Sequence, residues 1–157
     1  MPSEHRETAA TTIAAPLDVV WDLVTDVARF PDWIESTLEI VHVDGGIALG
    51  ASYVERSRIS GFFTSTICWR VAQYEPRRRV EYTGSGVSVL SRLGYSVEIE
   101  PVGSATEFTL ELWYLPRFGP LGSFMEVAAR SNVNAEHRRS VATFSILAER
   151  RASGDAL

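Results

Sequence analysis

"APLDVVWDLVTDVARFPDW", residues 15–33, is the stretch from which the rest of the chain is read. Pro16 suits a first helical turn, where its missing N–H is no loss, and Val19, Val20, Leu23, Val24 and Val27 recur with helical spacing. Asp18, Asp22 and Asp26 fall four apart on the other, solvated face. Pro31 disfavours helical geometry at Phe30 and removes a donor. The helix is therefore expected to end near Ala28 or Arg29, with a separate short turn carrying Phe30, Trp33 and Ile34. Two helical pieces at an angle, rich in aromatics, read as part wedge and part lid. Trp21 is assigned to the wedge and Trp33 to the mouth of whatever lies beneath.

Outward from this stretch the texture changes. Before it, "TAATTIA" (8–14) is short and rich in threonine, an opening strand. After it, from Thr37, the period becomes two: "LEIVHV" (38–43), a "DGG" turn, then "ASYVERSRIS" (51–60) and "TSTICWRVAQY" (64–74). "EP" at 75–76 leads into "RVEYTG" (79–84), the "GSG" at 84–86 reads as a turn into "LSRLGYSVEIE" (90–100), and "PVGS" turns the chain into "TEFTLELWYL" (106–115). Beyond "PRFGPLG" (116–122) no further proline or glycine occurs before Arg151, so one helix of ~30 residues, about 45 Å long, is expected from about Leu121 to Arg151. The order is strand, two short helices, six strands, one long helix. This is an α+β arrangement, a seven-stranded antiparallel sheet with one apolar face for the long helix to cover. A single domain over residues 8–150 is expected, with residues 1–7 and 151–157 as flexible tails.

Composition narrows the function classes. With 45% hydrophobic and 22% charged residues the chain falls in the globular range, and no apolar run is long enough for a membrane span. No stable membrane insertion and no signal-peptide centre are expected, which makes the cytoplasm the default address. The net charge of -5 disfavours nucleic acid as a partner. Every basic residue apart from histidine is arginine, and the absence of lysine excludes Schiff-base chemistry. "RRR" at 77–79 reads as a solvated hairpin end. Cys68 has no second cysteine to pair with. No metal-ligand spacing, nucleotide fingerprint or nucleophile elbow is present, so no metal and no cofactor are expected. His137, beside Glu136, reads as an exposed helix residue.

The strand phases point to a pocket. Leu93, Tyr95, Val97 and Ile99, then Phe108, Leu110, Leu112 and Tyr114, form inward sets, as do Ile67, Trp69 and Val71, and Val80 with Tyr82. Residues 52–59 allow two phases: Tyr53, Glu55, Ser57 and Ile59 inward, or Val54, Arg56 and Arg58 inward. The first is preferred because it leaves both arginines in water. It also places a carboxylate among aromatics, which makes sense where the adjacent space holds water or a polar ligand group. The long helix supports the same conclusion. Its second half offers Val141, Phe144, Ile146 and Leu147 for packing, whereas its first half, after Phe124 and Met125, presents small or polar Ala128, Ala129, Ser131, Asn132 and Ala135. Small residues opposite Trp and Tyr leave a cavity of a few hundred Å³.

The order of elements, with "TTIAAPLDVVWDLVTDVARFPDW" (11–33), "GASYVERSR" (50–58), "VAQYEPRRRVEY" (71–82) and "EPVGSATEFTLEL" (100–112), resembles the SRPBCC superfamily of START-like, helix-grip proteins, most of all its polyketide cyclase/dehydrase branch. The resemblance covers about residues 8–150. It implies a sheet wrapped around the C-terminal helix and enclosing a deep hydrophobic cavity, in proteins that bind lipids, hormones, quinones or polyketides and in some cases cyclise and dehydrate polyketide chains. In the aromatase/cyclases of that branch an arginine projects into the cavity near the start of the fourth strand. Here Ser65 of "GFFTSTICW" takes that place. On this reading Glu55 exchanges a proton with the substrate, and Tyr53 and Asn132 hydrogen-bond ligand carbonyls. Trp33, Trp69, Tyr82 and Tyr95 are stacking walls, and Ser57, Ser65, Leu110, Phe124 and Ala128 complete the lining. The expected partner is a hydrophobic small molecule, and a homodimer is compatible with the sequence. Three readings stay open: polyketide cyclase/dehydratase, non-catalytic lipid or quinone carrier, and an interaction module, the last if the outward Trp113 belongs to an exposed apolar patch.

Overall fold

Alternating apolar and polar residues build strands that bury one face, and the helix that covers it starts at Pro120, suited to a first turn, and after Gly122 runs free of both proline and glycine. A computed structural model describes residues 3–60, 63–117 and 120–155, apart from the side chains of 60 and 120–131. In chain order the elements are β1 (His5–Ile13), α1 (Leu17–Val24), a 3-10 helix (Val27–Asp32), β2 (Thr37–Asp44), β3 (Ser52–Ser60), β4 (Phe63–Glu75), β5 (Arg79–Ser85), β6 (Leu90–Val102), β7 (Ala105–Pro116) and α2 (Pro120–Ala152). The strands form one antiparallel sheet in the order β1-β7-β6-β5-β4-β3-β2. The helix-grip arrangement expected from the sequence is present. β1 begins at His5, opposite Tyr114, so residues 5–7 of the expected tail are part of the sheet.

The opening stretch breaks earlier than Pro31 would dictate. Thr25 ends α1: its hydroxyl donates to the Trp21 carbonyl at 2.9 Å, and Asp26 leaves helical geometry at φ -88°, ψ 84°. Pro31 then sits inside the tighter 3-10 turn, whose end is closed by the Trp33 and Ile34 amides donating to the Phe30 carbonyl at 3.2 and 2.8 Å. The pieces form a wedge with Val20, Leu23, Val24 and Phe30 fully buried. Trp33 belongs to it too. Its ring meets Phe144 of α2 edge-on at 4.8 Å and Phe108 at 6.3 Å, and those two phenyl rings stack at 4.3 Å. Burying one such ring stabilises the fold by roughly 1.5–3 kcal/mol.

The outer face of the sheet is sealed at the one place where an apolar patch was expected. Trp113 is only 7% exposed: it lies over Gly94 of β6, where any Cβ would come within 2.4 Å of the indole, and Arg6 of β1 covers its ring at 5.4 Å. The interaction-module reading loses its motivating feature. Gly84, expected in a turn, is instead within β5, and it leaves room for Trp69 on the inner face, since a Cβ there would stand 2.8 Å from that ring. The arginines of the 77–79 run are each paired: Arg77 with Asp18 at 2.6 Å, Arg78 with Glu75 at 3.6 Å, and Arg79 with Glu81 and Glu98 at 2.9 and 3.1 Å.

Candidate functional site

β3 resolves its two phases in favour of Tyr53, Glu55 and Ser57 inward, all 3% exposed or less. Register then aligns them with β4: Tyr53 opposite Trp69, Glu55 opposite Ile67 and Ser57 opposite Ser65. Between this face and α2 lies a cavity of about 520 Å³, lined by apolar side chains of β4, β6 and β7 and by a few polar groups. That volume falls within the range of small-molecule sites, roughly 300–1,000 Å³.

The polar groups gather at two levels. Deep in the cavity, the Thr37 hydroxyl donates to Glu55 Oε2 at 2.9 Å, and the Ser57 hydroxyl donates to the Ser36 carbonyl at 3.1 Å. Burial pushes the Glu55 carboxyl above its ordinary range, against the opposing pull of the Trp69 indole N–H and the Thr37 and Ser57 hydroxyls. Only the Thr37 bond is fully formed among these, because Trp69 Nε1 is buried without a partner in hydrogen-bond geometry. Beside them the hydroxyls of Tyr53 and Tyr95 share one hydrogen bond of 2.7 Å, and burial holds both phenols far above their ordinary range. Trp69 meets Tyr95 edge-on at 4.9 Å.

Nearer the rim, charges are paired. Arg139 grips Glu35 through two bonds of 2.6 and 2.9 Å, and Arg58 stands 3.9 Å from Glu35 and 3.8 Å from Glu136. The Arg139 guanidinium holds the Glu35 carboxyl below its ordinary range, whereas desolvation raises that of Glu136. The Glu35 amide donates to Ser140 Oγ at 3.0 Å and the Arg58 amide to the Ser36 carbonyl at 2.8 Å, so the turn before β2 ties α2 to β3.

Of the residues expected at the site, Tyr53, Glu55, Ser57, Trp69, Tyr95 and Leu110 all line the cavity. Trp33 does not: it is 2% exposed and packed in the core rather than at the mouth, because Phe108 and Phe144 close over it. Tyr82 sits beneath the wall, stacked on Tyr95 at 4.6 Å, and lines a smaller hollow of about 330 Å³ that shares Tyr53 with the main one. Ser65 keeps the inward phase but lies half-buried beyond the described lining. Asn132 is exposed, since it lies off the helix stripe that faces the sheet. Ile146, expected to pack, is 53% exposed for the same reason. The side chains of Phe124 and Ala128 lie outside the described residues.

His137 and Thr37 were missed by the sequence reading. His137 is 7% exposed, lines the cavity and bonds the Leu110 carbonyl through Nε2 at 2.7 Å. A carbonyl only accepts, so Nε2 carries the hydrogen and Nδ1 of the neutral ring is the acceptor. Burial lowers the imidazole's proton affinity, which maintains that neutral form. Its position could have been found from spacing: 137, 141, 144 and 148 form one helical stripe, and all four are buried. Thr37 has no comparable signal, because its role depends on the register that brings β2 beside β3.

No group of three or more potential metal ligands occurs among the described residues, and no described helix is long and apolar enough to cross a membrane.

Comparison with known proteins agrees with this architecture. An uncharacterised protein of Mycobacterium tuberculosis is 28% identical over 135 residues, covering 81% of this chain and 89% of its own. The crystal structure of the Zhui aromatase/cyclase from Streptomyces sp. R1128 superposes with a TM-score of 0.75 at 19% identity, over 98% of this chain and 100% of that one. A START superfamily protein from Mycobacterium smegmatis gives 0.67 at 14% identity, over 96% and 98%. At these identities the structural likeness is one of fold. The family described as polyketide cyclase/dehydrase and lipid transport matches residues 4–149, and the chain, a sheet gripping one long helix around a lined cavity, belongs to that family.

Proposed function

We propose that the chain binds a hydrophobic, aromatic or polyketide-like small molecule between the sheet and α2, and that Glu55 and Tyr53 are the groups placed to exchange a proton with it. The observation that carries this reading is the cavity of about 520 Å³, walled by Leu93, Leu110 and Leu112 and floored by a buried carboxyl group. An apolar hollow of that size with a carboxyl group on its wall packs poorly against water, and a ligand that fills it gains packing contacts with the leucines and a polar partner at Glu55.

Cyclisation by an aldol-type closure needs a group that takes a proton from a carbon beside a carbonyl and one that delivers a proton to oxygen. Glu55 has the first chemistry and the Tyr53–Tyr95 hydroxyl pair the second. A second reading, a carrier without turnover, is favoured by a specific feature: the Tyr53 hydroxyl bonds Tyr95 and Glu55 accepts from Thr37, so Tyr53 and Glu55 are not bonded to each other as a proton-transfer pair. Binding is common to both readings.

Native mass spectrometry of protein purified from its source cells tests binding, the expected result being a co-purifying apolar molecule released on denaturation. Ligand-free protein whose tryptophan fluorescence no apolar aromatic probe perturbs would refute it. Retained turnover of an identified substrate by Glu55→Gln would remove Glu55 from the chemistry.

A further inference from the structure

Resting on the binding reading above, we infer that the cavity selects an uncharged ligand carrying a hydroxyl group at its buried end, and rejects the carboxylate-headed counterpart of the same size. The charge of the wall points this way. Among the described lining residues the formally charged groups are Arg58, Glu55 and Glu136, two carboxyls against one cation. The cation is engaged, since Arg58 lies between Glu35 and Glu136 at 3.9 and 3.8 Å. Among the described residues of the wall a ligand carboxylate would meet no unpaired positive group, and at the deep end it would face Glu55 as a second acid across a low-dielectric space.

A hydroxyl group meets the same wall differently. It both donates and accepts, so it can give its hydrogen to the Glu55 carboxylate or accept one from the carboxylic acid, and it suits the site in either protonation state. The bond from Thr37 uses only part of the acceptor capacity of Glu55, and the Tyr53–Tyr95 pair lies on the same wall, so the deep end is polar but holds no cation. A ketone or ester oxygen, which only accepts, can take a hydrogen from the Trp69 indole or the Tyr53–Tyr95 pair, but it brings no donor for the remaining acceptor positions of the Glu55 carboxylate.

The test uses matched probes that need no knowledge of the natural ligand. 2-Naphthol, methyl 2-naphthoate and 2-naphthoate are titrated into the full chain at neutral pH and followed by calorimetry. The expected order is naphthol tightest, ester intermediate and acid weakest, with naphthol over acid by roughly tenfold or more. Glu55→Gln, which keeps shape and hydrogen-bonding capacity but removes the acid, is expected to narrow that ratio by about threefold or more, its fold checked by circular dichroism. Equal or reversed affinities of naphthol and acid in the wild type overturn the charge selection and leave the cavity reading standing. An ester bound as tightly as naphthol overturns the hydroxyl requirement. An unchanged ratio in folded Glu55→Gln overturns the part given to Glu55. Should no probe bind, this inference and the binding reading fall together. If the variant does not fold, the wild-type order of the three probes still decides.

Discussion

Replacing Glu55 by Gln should stabilise the protein at neutral pH, although it removes a group that accepts a hydrogen bond of 2.9 Å. Glutamine has nearly the same shape, and its amide oxygen still accepts from Thr37. What it lacks is the ability to ionise. The Glu55 carboxyl is raised from its ordinary value of 4.5, first by burial, with Trp69, Thr37 and Ser57 pulling the other way. Because its pKa is higher folded than unfolded, the native state holds the proton more tightly, and stability falls as pH rises from about 4.5 to the folded value. Each unit of elevation corresponds to about 1.4 kcal/mol, lost gradually across that window and constant above it. The variant carries none of this slope. The difference in unfolding free energy, variant minus wild type, should be near its minimum at pH 4 and grow towards pH 7.5. For a chain of this length each kcal/mol moves the midpoint by roughly 2–4 °C. Thermal melts of both proteins at matched pH measure the difference, and the other titrating groups cancel in it. A gap that closes or changes sign towards pH 7.5 would mean that the surrounding donors stabilise the carboxylate more than burial opposes it.

The remaining predictions concern the same wall and its support. Phe144→Ala removes a fully buried ring from the Phe108–Trp33 stack and should cost about 3–5 kcal/mol, lowering the melting midpoint by roughly 6–20 °C. Tyr53→Phe or Tyr95→Phe alone leaves the partner hydroxyl buried and unpaired, a loss of about 1–3 kcal/mol, whereas the double variant should lose less than the sum. Urea denaturation of all four proteins gives that coupling, and strict additivity would deny the bond its role. His137, whose proton affinity is lowered by burial, should destabilise the fold as pH falls below its ordinary value of 6.5, since the unfolded state then binds more protons. His137→Gln, which can still donate to the Leu110 carbonyl, should flatten the stability profile between pH 7 and 5 in chemical denaturation.

Residues 52–59 illustrate what a sequence tells and what it does not. Alternation assigns Glu55 its face and leaves Arg56 in water, because both are properties of a strand taken by itself, whereas Arg58 reaches the cavity rim between Glu35 and Glu136 instead of standing in water. How deep a residue sits along that face is a property of its neighbours. Ser65 shares the inward phase yet lies beyond the described lining, while Tyr82 shares it and is covered by Tyr95. A break at Pro31 predicts Trp33 at the mouth, whereas the break falls at the Thr25 cap and the indole packs edge-on against Phe144. The charged neighbour Glu136 makes His137 read as exposed, and its size makes Ile146 read as packed. The stripe through Val141, Phe144 and Ala148 gives the opposite answer for both.

β1 and β2 follow one another in the chain but occupy opposite edges of the sheet. The segment between them, α1 and the 3-10 helix, therefore crosses the full width of the sheet and is anchored at both rims. It acts as a bowstring. The sheet cannot flatten without stretching a covalent chain whose middle is already pinned by Phe30 and Trp33, so the curvature that leaves room beside α2 is fixed by chain length as well as by packing. Lengthening the loop at Ala14–Ala15 would slacken the string and enlarge the hollow; shortening it would tighten the bow and shrink it.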